Sequence, residues 1–96
     1  MPRKKQPQIW ILTVTGADKV GIIATLAATM ARANINILDV NQKIMEHYFV
    51  MTMAVDIADA AIPMDKFKKR LDKIACDMAL SITFQSENIF KAMHRV

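Results

Sequence analysis

The chain has 96 residues, 53% hydrophobic and 23% charged, with a formal net charge of +4. That length holds one core and excludes a separate catalytic domain, and that apolar fraction excludes an intrinsically disordered chain. The positive excess lies mainly in Arg3, Lys4 and Lys5 of a leader over residues 1–8, so the folded body is left with a nearly balanced charge and no nucleic-acid partner is expected.

The leader is expected to be flexible, because Pro2 and Pro7 flank a polar run with no periodic apolar face. Residues 9–96 then form a single domain. Residues 9–15 (IWILTVT) read as a first strand, with Trp10, Leu12 and Val14 on one face and Ile9, Ile11, Thr13 and Thr15 on the other. The next six residues, GADKVG, hold both glycines of the chain and mark a loop that needs positive φ or close approach. Ile23, Leu26, Ala27 and Met30 recur at helical spacing, and a first helix is expected to run to about Ala33, ended by a left-handed Asn34.

INILDVNQKIM reads as a second strand, with Leu38, Val40 and Ile44 opposite Asp39, Asn41 and Lys43. Glu46 and His47 make the turn to a third strand over residues 48–57, whose Phe49, Met51, Met53 and Val55 form the apolar face. Pro63 suits a first helical turn, and Met64, Phe67, Leu71, Ile74, Ala75 and Met78 give the buried stripe of a second helix. Leu80, Ile82 and Phe84 alternate in a fourth strand. Ser86 and Glu87 start a short terminal helix with Ile89, Phe90 and Met93 on its apolar side and a solvated His94. The fold class is therefore α+β: a ferredoxin-like βαββαβ order with a four-stranded antiparallel sheet plus a short C-terminal helix.

The strand, the loop Gly16-Ala17-Asp18-Lys19-Val20-Gly21-Ile22, the apolar helix and Asn36-Ile37 at the second strand together resemble the signature of the ACT domain family. The likeness continues through Asp39, Gln42, Tyr48-Phe49 and Ile89-Phe90, and the chain is similar to small stand-alone ACT-domain proteins over about residues 9–95. The resemblance implies a regulatory module that pairs side by side as a homodimer, binds an amino acid near the first loop and acts on another, unknown protein. Asp18 stands where several amino-acid-binding members have a neutral amide, and Val20 where many have proline.

Elementary chemistry suits such a site. Unpaired N–H groups at Gly21 and Ile22 can receive a carboxylate, the glycines admit a ligand to the main chain, and Asp18 or Asn36 can accept from an ammonium group. The candidate ligand-binding set is Gly16, Asp18, Lys19, Val20, Gly21, Ile22 and Asn36. Each residue also has a purely structural role open to it: a tight turn for the glycines, a helix cap for Asp18, a local backbone bond for Asn36. The internal methionines read as flexible core filler.

No catalytic residue, metal site or cofactor is expected, and the chain is not read as an enzyme. Cys76 and His47 lack adjacent activating groups or converging ligands. As the single cysteine, Cys76 also rules out an intrachain disulfide and fits a reducing compartment, hence the cytoplasm. No apolar run approaches the roughly 20 residues that span a bilayer, so no membrane partner is expected.

Three rivals remain. An RNA-binding domain would use the same element order, but its stacking platform needs glycines and aromatics that the Tyr48-Phe49 segment does not place on one face. An acylphosphatase-like hydrolase would want a loop arginine, and the loop offers only Lys19. A purely structural dimerisation module would need no ligand at all. For the dimer itself, Ile9, Ile11 and Val50 lie on the sheet face away from the helices, where the terminal helix or a second copy has to cover them. Deleting residues 1–7 is expected to change the melting temperature by little in a thermal scan; a large loss would show that the leader is packed or paired.

Overall fold

The computed structural model describes residues 6–93. The basic residues of the leader, and the terminal His94 and Arg95, lie outside them. The element order is β1 (Ile9–Ala17), α1 (Ile22–Arg32), β2 (Asn36–Met45), β3 (Tyr48–Asp56), α2 (Met64–Met78), β4 (Leu80–Ser86) and α3 (Glu87–Met93). The strands form one antiparallel sheet in the order β2-β3-β1-β4. This is the expected βαββαβ arrangement with its C-terminal helix.

The core follows from strand alternation. Leu12 and Val14 of β1, with Phe49, Met51, Met53 and Val55 of β3, point to the same face and are buried against Ile22, Leu26 and Met30 of α1 and Phe67 and Leu71 of α2. Met30, Met51 and Met53 are at most 1% exposed, as the core-filler reading requires, whereas Met45 and Met93 are exposed and fill no core. At the β4 side, Phe84 lies 4.9 Å from Trp10 and 5.5 Å from Phe67 between ring centroids, tying strand to strand and sheet to helix. The buried Thr29 hydroxyl donates to the Thr25 carbonyl at 2.8 Å. The Asp56 carboxylate accepts from the N–H groups of Gln8 and Ala58, both at 3.0 Å, and Ile57 N–H donates to the Gln8 carbonyl at 2.9 Å. Gln8 therefore continues the strand pairing by one residue into the segment assigned to the leader.

Several local expectations change. Gly16 and Ala17 belong to β1, because Gly16 pairs with Phe49 on one side and Leu80 on the other. The buried stripe of α1 is led by Ile22, whereas Ile23 is exposed, since the helix starts on Gly21 and rotates Ile22 to the sheet. A register shift between Ile37 and Asp39 makes Leu38 the extra residue of a β-bulge, so Leu38 does not alternate with Val40. Pro63 is the extended residue preceding α2 and not part of its first turn. The expected left-handed Asn34 is present at φ 56°, and its side-chain N–H donates to the Asp59 carbonyl at 2.9 Å.

The face away from α1 and α2 is not left bare at Ile11, which is only 9% exposed. Helix α3 lies against β1 and β4, and strand alternation puts Ile11 on the side that the two long helices do not reach. The helix is started by Ser86, whose hydroxyl accepts the Ile89 N–H at 3.3 Å. Its Ile89 and Met93 nevertheless remain exposed. Leu12→Ala is expected to destabilise the fold by about 2–5 kcal/mol, because it removes a fully buried side chain between two paired strands. Denaturant midpoints at constant m value measure it, and a loss well below that range would mean that the sheet relaxes into the space.

Candidate functional site

The loop between β1 and α1 is held at two adjacent residues. Asp18 N–H donates to the His47 carbonyl at 3.0 Å, which pins the loop to the β2–β3 turn, and the Lys19 ammonium donates to the Met78 carbonyl at the end of α2. The last turn of α2 has no basic residue of its own, so Lys19 supplies the cation that the negative end of its dipole favours. Val20, just after these ties, is fully exposed.

Gly21 takes the position before α1 at φ 90°, ψ 2°, and no side chain caps the helix. Asp18 therefore is not the cap that its position in the sequence allows. The first N–H groups of α1 are left to other acceptors. A Cβ built on Gly21 would meet nothing within 4 Å, whereas one built on Gly16 would come within 2.8 Å of the Leu80 side chain and 3.3 Å of the Ala79 carbonyl. The two glycines thus answer different needs: Gly16 lets the α2–β4 turn approach, and Gly21 provides a left-handed backbone beneath open space.

That space is a shallow depression of about 250 Å³ lined by Asp18, Lys19, Gly21 and Ile22, with Gln42, Ile44 and Phe49 opposite them. It joins one carboxylate, one ammonium already engaged with backbone, free helical N–H groups and an apolar wall. Gln42 and Ile44 were not among the expected site residues. The signal for Gln42 was its polarity on the Val40 and Ile44 face of β2, where an edge strand needs no core residue.

Asn36 is not part of this depression. It pairs with Asp56 at the start of β2, level with Ile9, whereas Gly16 is level with Phe49 and Ile44 at the other end of the sheet. The separation is the length of β2, about 25–30 Å at the usual rise of a strand. The helix α1 returns the chain to the start of the sheet before β2 begins, so a single chain cannot bring Asn36 to the loop. Asn36 instead lines a second depression of about 450 Å³ with Asn34, Asp56 and Asp59. Tyr48 is 64% exposed and Phe49 only 3%, on opposite faces, so these two rings make no stacking platform. Among the described residues no three metal-ligating side chains converge, and no helix is long and apolar enough to cross a membrane.

The family model described as the ACT domain matches residues 8–85. A UPF0237 protein of Clostridium acetobutylicum is 45% identical over 86 residues, covering 90% of this chain and 97% of the relative. The solved structure of an ACT domain protein from Streptococcus pneumoniae superposes with a TM-score of 0.75 at 29% identity, covering 93% of this chain and all of that one. A formyltetrahydrofolate deformylase from Pseudomonas putida has the same fold over 29% of its length, with a TM-score of 0.75 at 12% identity.

Gly21→Ala is expected to cost roughly 1–2 kcal/mol of stability through backbone conformation alone, and Gly21→Asn less, because asparagine tolerates the left-handed region. Thermal and denaturant unfolding of both variants distinguish this from a packing role, which would penalise the larger asparagine more.

Proposed function

Because the chain belongs to the ACT domain family, we propose that it is a cytoplasmic regulatory module that holds an α-amino acid at the interface of a homodimer. The observation that carries this reading is the arrangement of β2. It is an edge strand of ten residues with Leu38, Val40, Ile44 and Met45 exposed along it, and Ile23 of α1 exposed beside it. Such an edge offers unpaired backbone groups and apolar side chains to a second strand.

Two copies related by a two-fold axis pair β2 antiparallel to itself, so the start of one strand meets the end of the other. Asn36 of the partner copy then reaches the Gln42–Ile44 end of β2, beside the β1–α1 loop. Residues that one chain holds apart are joined across the interface. The carboxylate of an amino acid is received by the free N–H groups at the start of α1, its ammonium by Asp18 and Asn36 of the partner copy, and its side chain by Ile23 and Ile44. Gly16 allows the loop to seat against Ala79 and Leu80, Gly21 opens the approach, and Lys19 and Val20 complete the loop without touching the ligand's polar ends. This is binding chemistry, with no catalytic group invoked.

Light scattering at micromolar concentration is expected to give twice the 10.8 kDa chain mass. A monomer would remove the interface and the site with it. A thermal-shift screen of amino acids, followed by calorimetric titration, is expected to find a ligand whose affinity falls by a factor of about 5 in Asn36→Ala, the loss of one hydrogen bond of about 1 kcal/mol. Asp18→Asn should weaken an ammonium-bearing ligand in the same assay while leaving the melting temperature of the free protein unchanged. Unchanged affinity in both variants would place the site elsewhere, and a broad screen without any ligand would favour a purely structural dimerisation module.

A further inference from the structure

Helix α2 carries its charges in an order that its own physics disfavours. Lys66, Lys69, Arg70 and Lys73 are exposed and recur at i, i+3, i+4 and i+7, which aligns four cations in one stripe about 10 Å long. Three of them lie in the first two turns, next to the positive end of the helix dipole, and the last turn has no basic residue. Lys66 and Arg70 form a like-charge pair at i,i+4 and have no carboxylate three or four residues away on either side, whereas Lys69 has Asp65 at i−4 and Asp72 at i+3 as well as the like charge of Lys73 at i+4. Of the four, Lys73 alone is in contact with a carboxylate among the described residues: it donates to Asp77 at 3.0 Å, which raises its affinity for the proton above the ordinary value. The side chains of Lys66, Lys69 and Arg70 have no ion-pair or hydrogen-bond partner among the described residues.

The other flank of the same helix is spent differently. Lys68 lies 5.2 Å from the centre of the Trp10 ring, and Asp72 faces the groove along β4. The stripe is therefore a separate surface, set apart from the charges that serve the fold. Local rules broken without a gain inside the chain mark a surface selected for something outside it.

We propose that this stripe docks an acidic segment of a partner protein, one that presents carboxylates along a single helical face. The chemistry selects that class. A membrane surface would need apolar side chains beside the cations, whereas Phe67 and Leu71 are buried on the opposite side of α2. A nucleic-acid backbone would need a longer basic track, whereas Asp77 ends this one and Asp65 flanks its start. A carboxylate-bearing helix matches both the length and the spacing of the stripe. The inference stands on α2 alone and holds whether or not the loop binds an amino acid.

The test is fluorescence anisotropy with a labelled peptide of Glu-Ala-Ala-Glu repeats, held helical by hydrocarbon staples on the face away from its glutamates, added to the full chain at low ionic strength. The peptide is expected to bind, to be released by added salt, and to bind about tenfold more weakly to the triple variant Lys66→Gln, Lys69→Gln, Arg70→Gln. The variant Arg3→Gln, Lys4→Gln, Lys5→Gln is expected to keep most of the affinity, which separates the helix from the leader. All six positions are replaced by neutral polar residues, and an unchanged melting curve confirms the fold. Absence of binding, equal binding of a peptide with glutamine for glutamate, or an unchanged affinity in the helix variant would overturn the proposal. So would tighter binding, through the same three residues, of a single-stranded RNA or of vesicles of phosphatidylcholine and phosphatidylserine.

Discussion

Strand β1 is paired on both sides, with β3 through nine residues and with β4 through seven. Everything else takes its place from that double pairing. It buries Leu12 and Val14 beneath both helices, forces α1 and α2 to act as crossovers on one face, and leaves β2 and β4 as the edges. The loop that follows β1 inherits the same fixed position. Gly16 is still within the ladder, so the backbone emerges beside Ala79 and Leu80 and has four residues, 18–21, in which to reverse into α1.

The short reversal explains why the loop is tied so firmly. His47 holds Asp18 from the β2–β3 turn and the Met78 carbonyl holds Lys19 from α2, so three connections meet at one end of the sheet. A ligand at the proposed site over Gly21 would be linked to both the β2–β3 turn and α2 through the tied β1–α1 loop. That is a suitable arrangement for sensing, because a small change at the loop has direct mechanical neighbours in α2 and in the β2–β3 hairpin. The same helix that receives Lys19 at its last turn exposes Lys66, Lys69 and Arg70 near its first. The two ends of α2 thus differ in role, and the dipole that disfavours the cations at one end is answered by Lys19 at the other.

The two edges of the sheet are also unlike. β4 is short and carries α2 along its flank, with Phe84 buried between Trp10 and Phe67. β2 is longer and keeps Val40 and Ile44 exposed on the face where β3 has its buried methionines. An apolar edge of this kind is a liability in a monomer and an asset in a dimer, which is why the reading of the site and the reading of the oligomer depend on the same strand.

Element types and order followed from periods in the chain. Alternation at Phe49, Met51, Met53 and Val55, the helical spacing of Phe67, Leu71, Ile74 and Met78, and two glycines confined to one loop each identify a local structure by a local rule. The resemblance carried by residues 16–22 with Asn36 also lay in the sequence. What it could not determine was distance. Asn36 and Gly21 are fifteen positions apart, and only the return of α1 along the sheet places them at opposite ends. Whether Asp18 caps α1 depended on a backbone conformation at Gly21 that leaves the cap position to a residue without a side chain. The inward role of Ile22 in place of Ile23 came from that same start, which sets the rotation of the helix. Ile11 looked solvent-facing by alternation and is covered because α3 folds back over β1, a contact between residues about eighty positions apart. Periodicity records which way a side chain points along its own strand or helix; what lies in front of it is decided by how the whole chain packs.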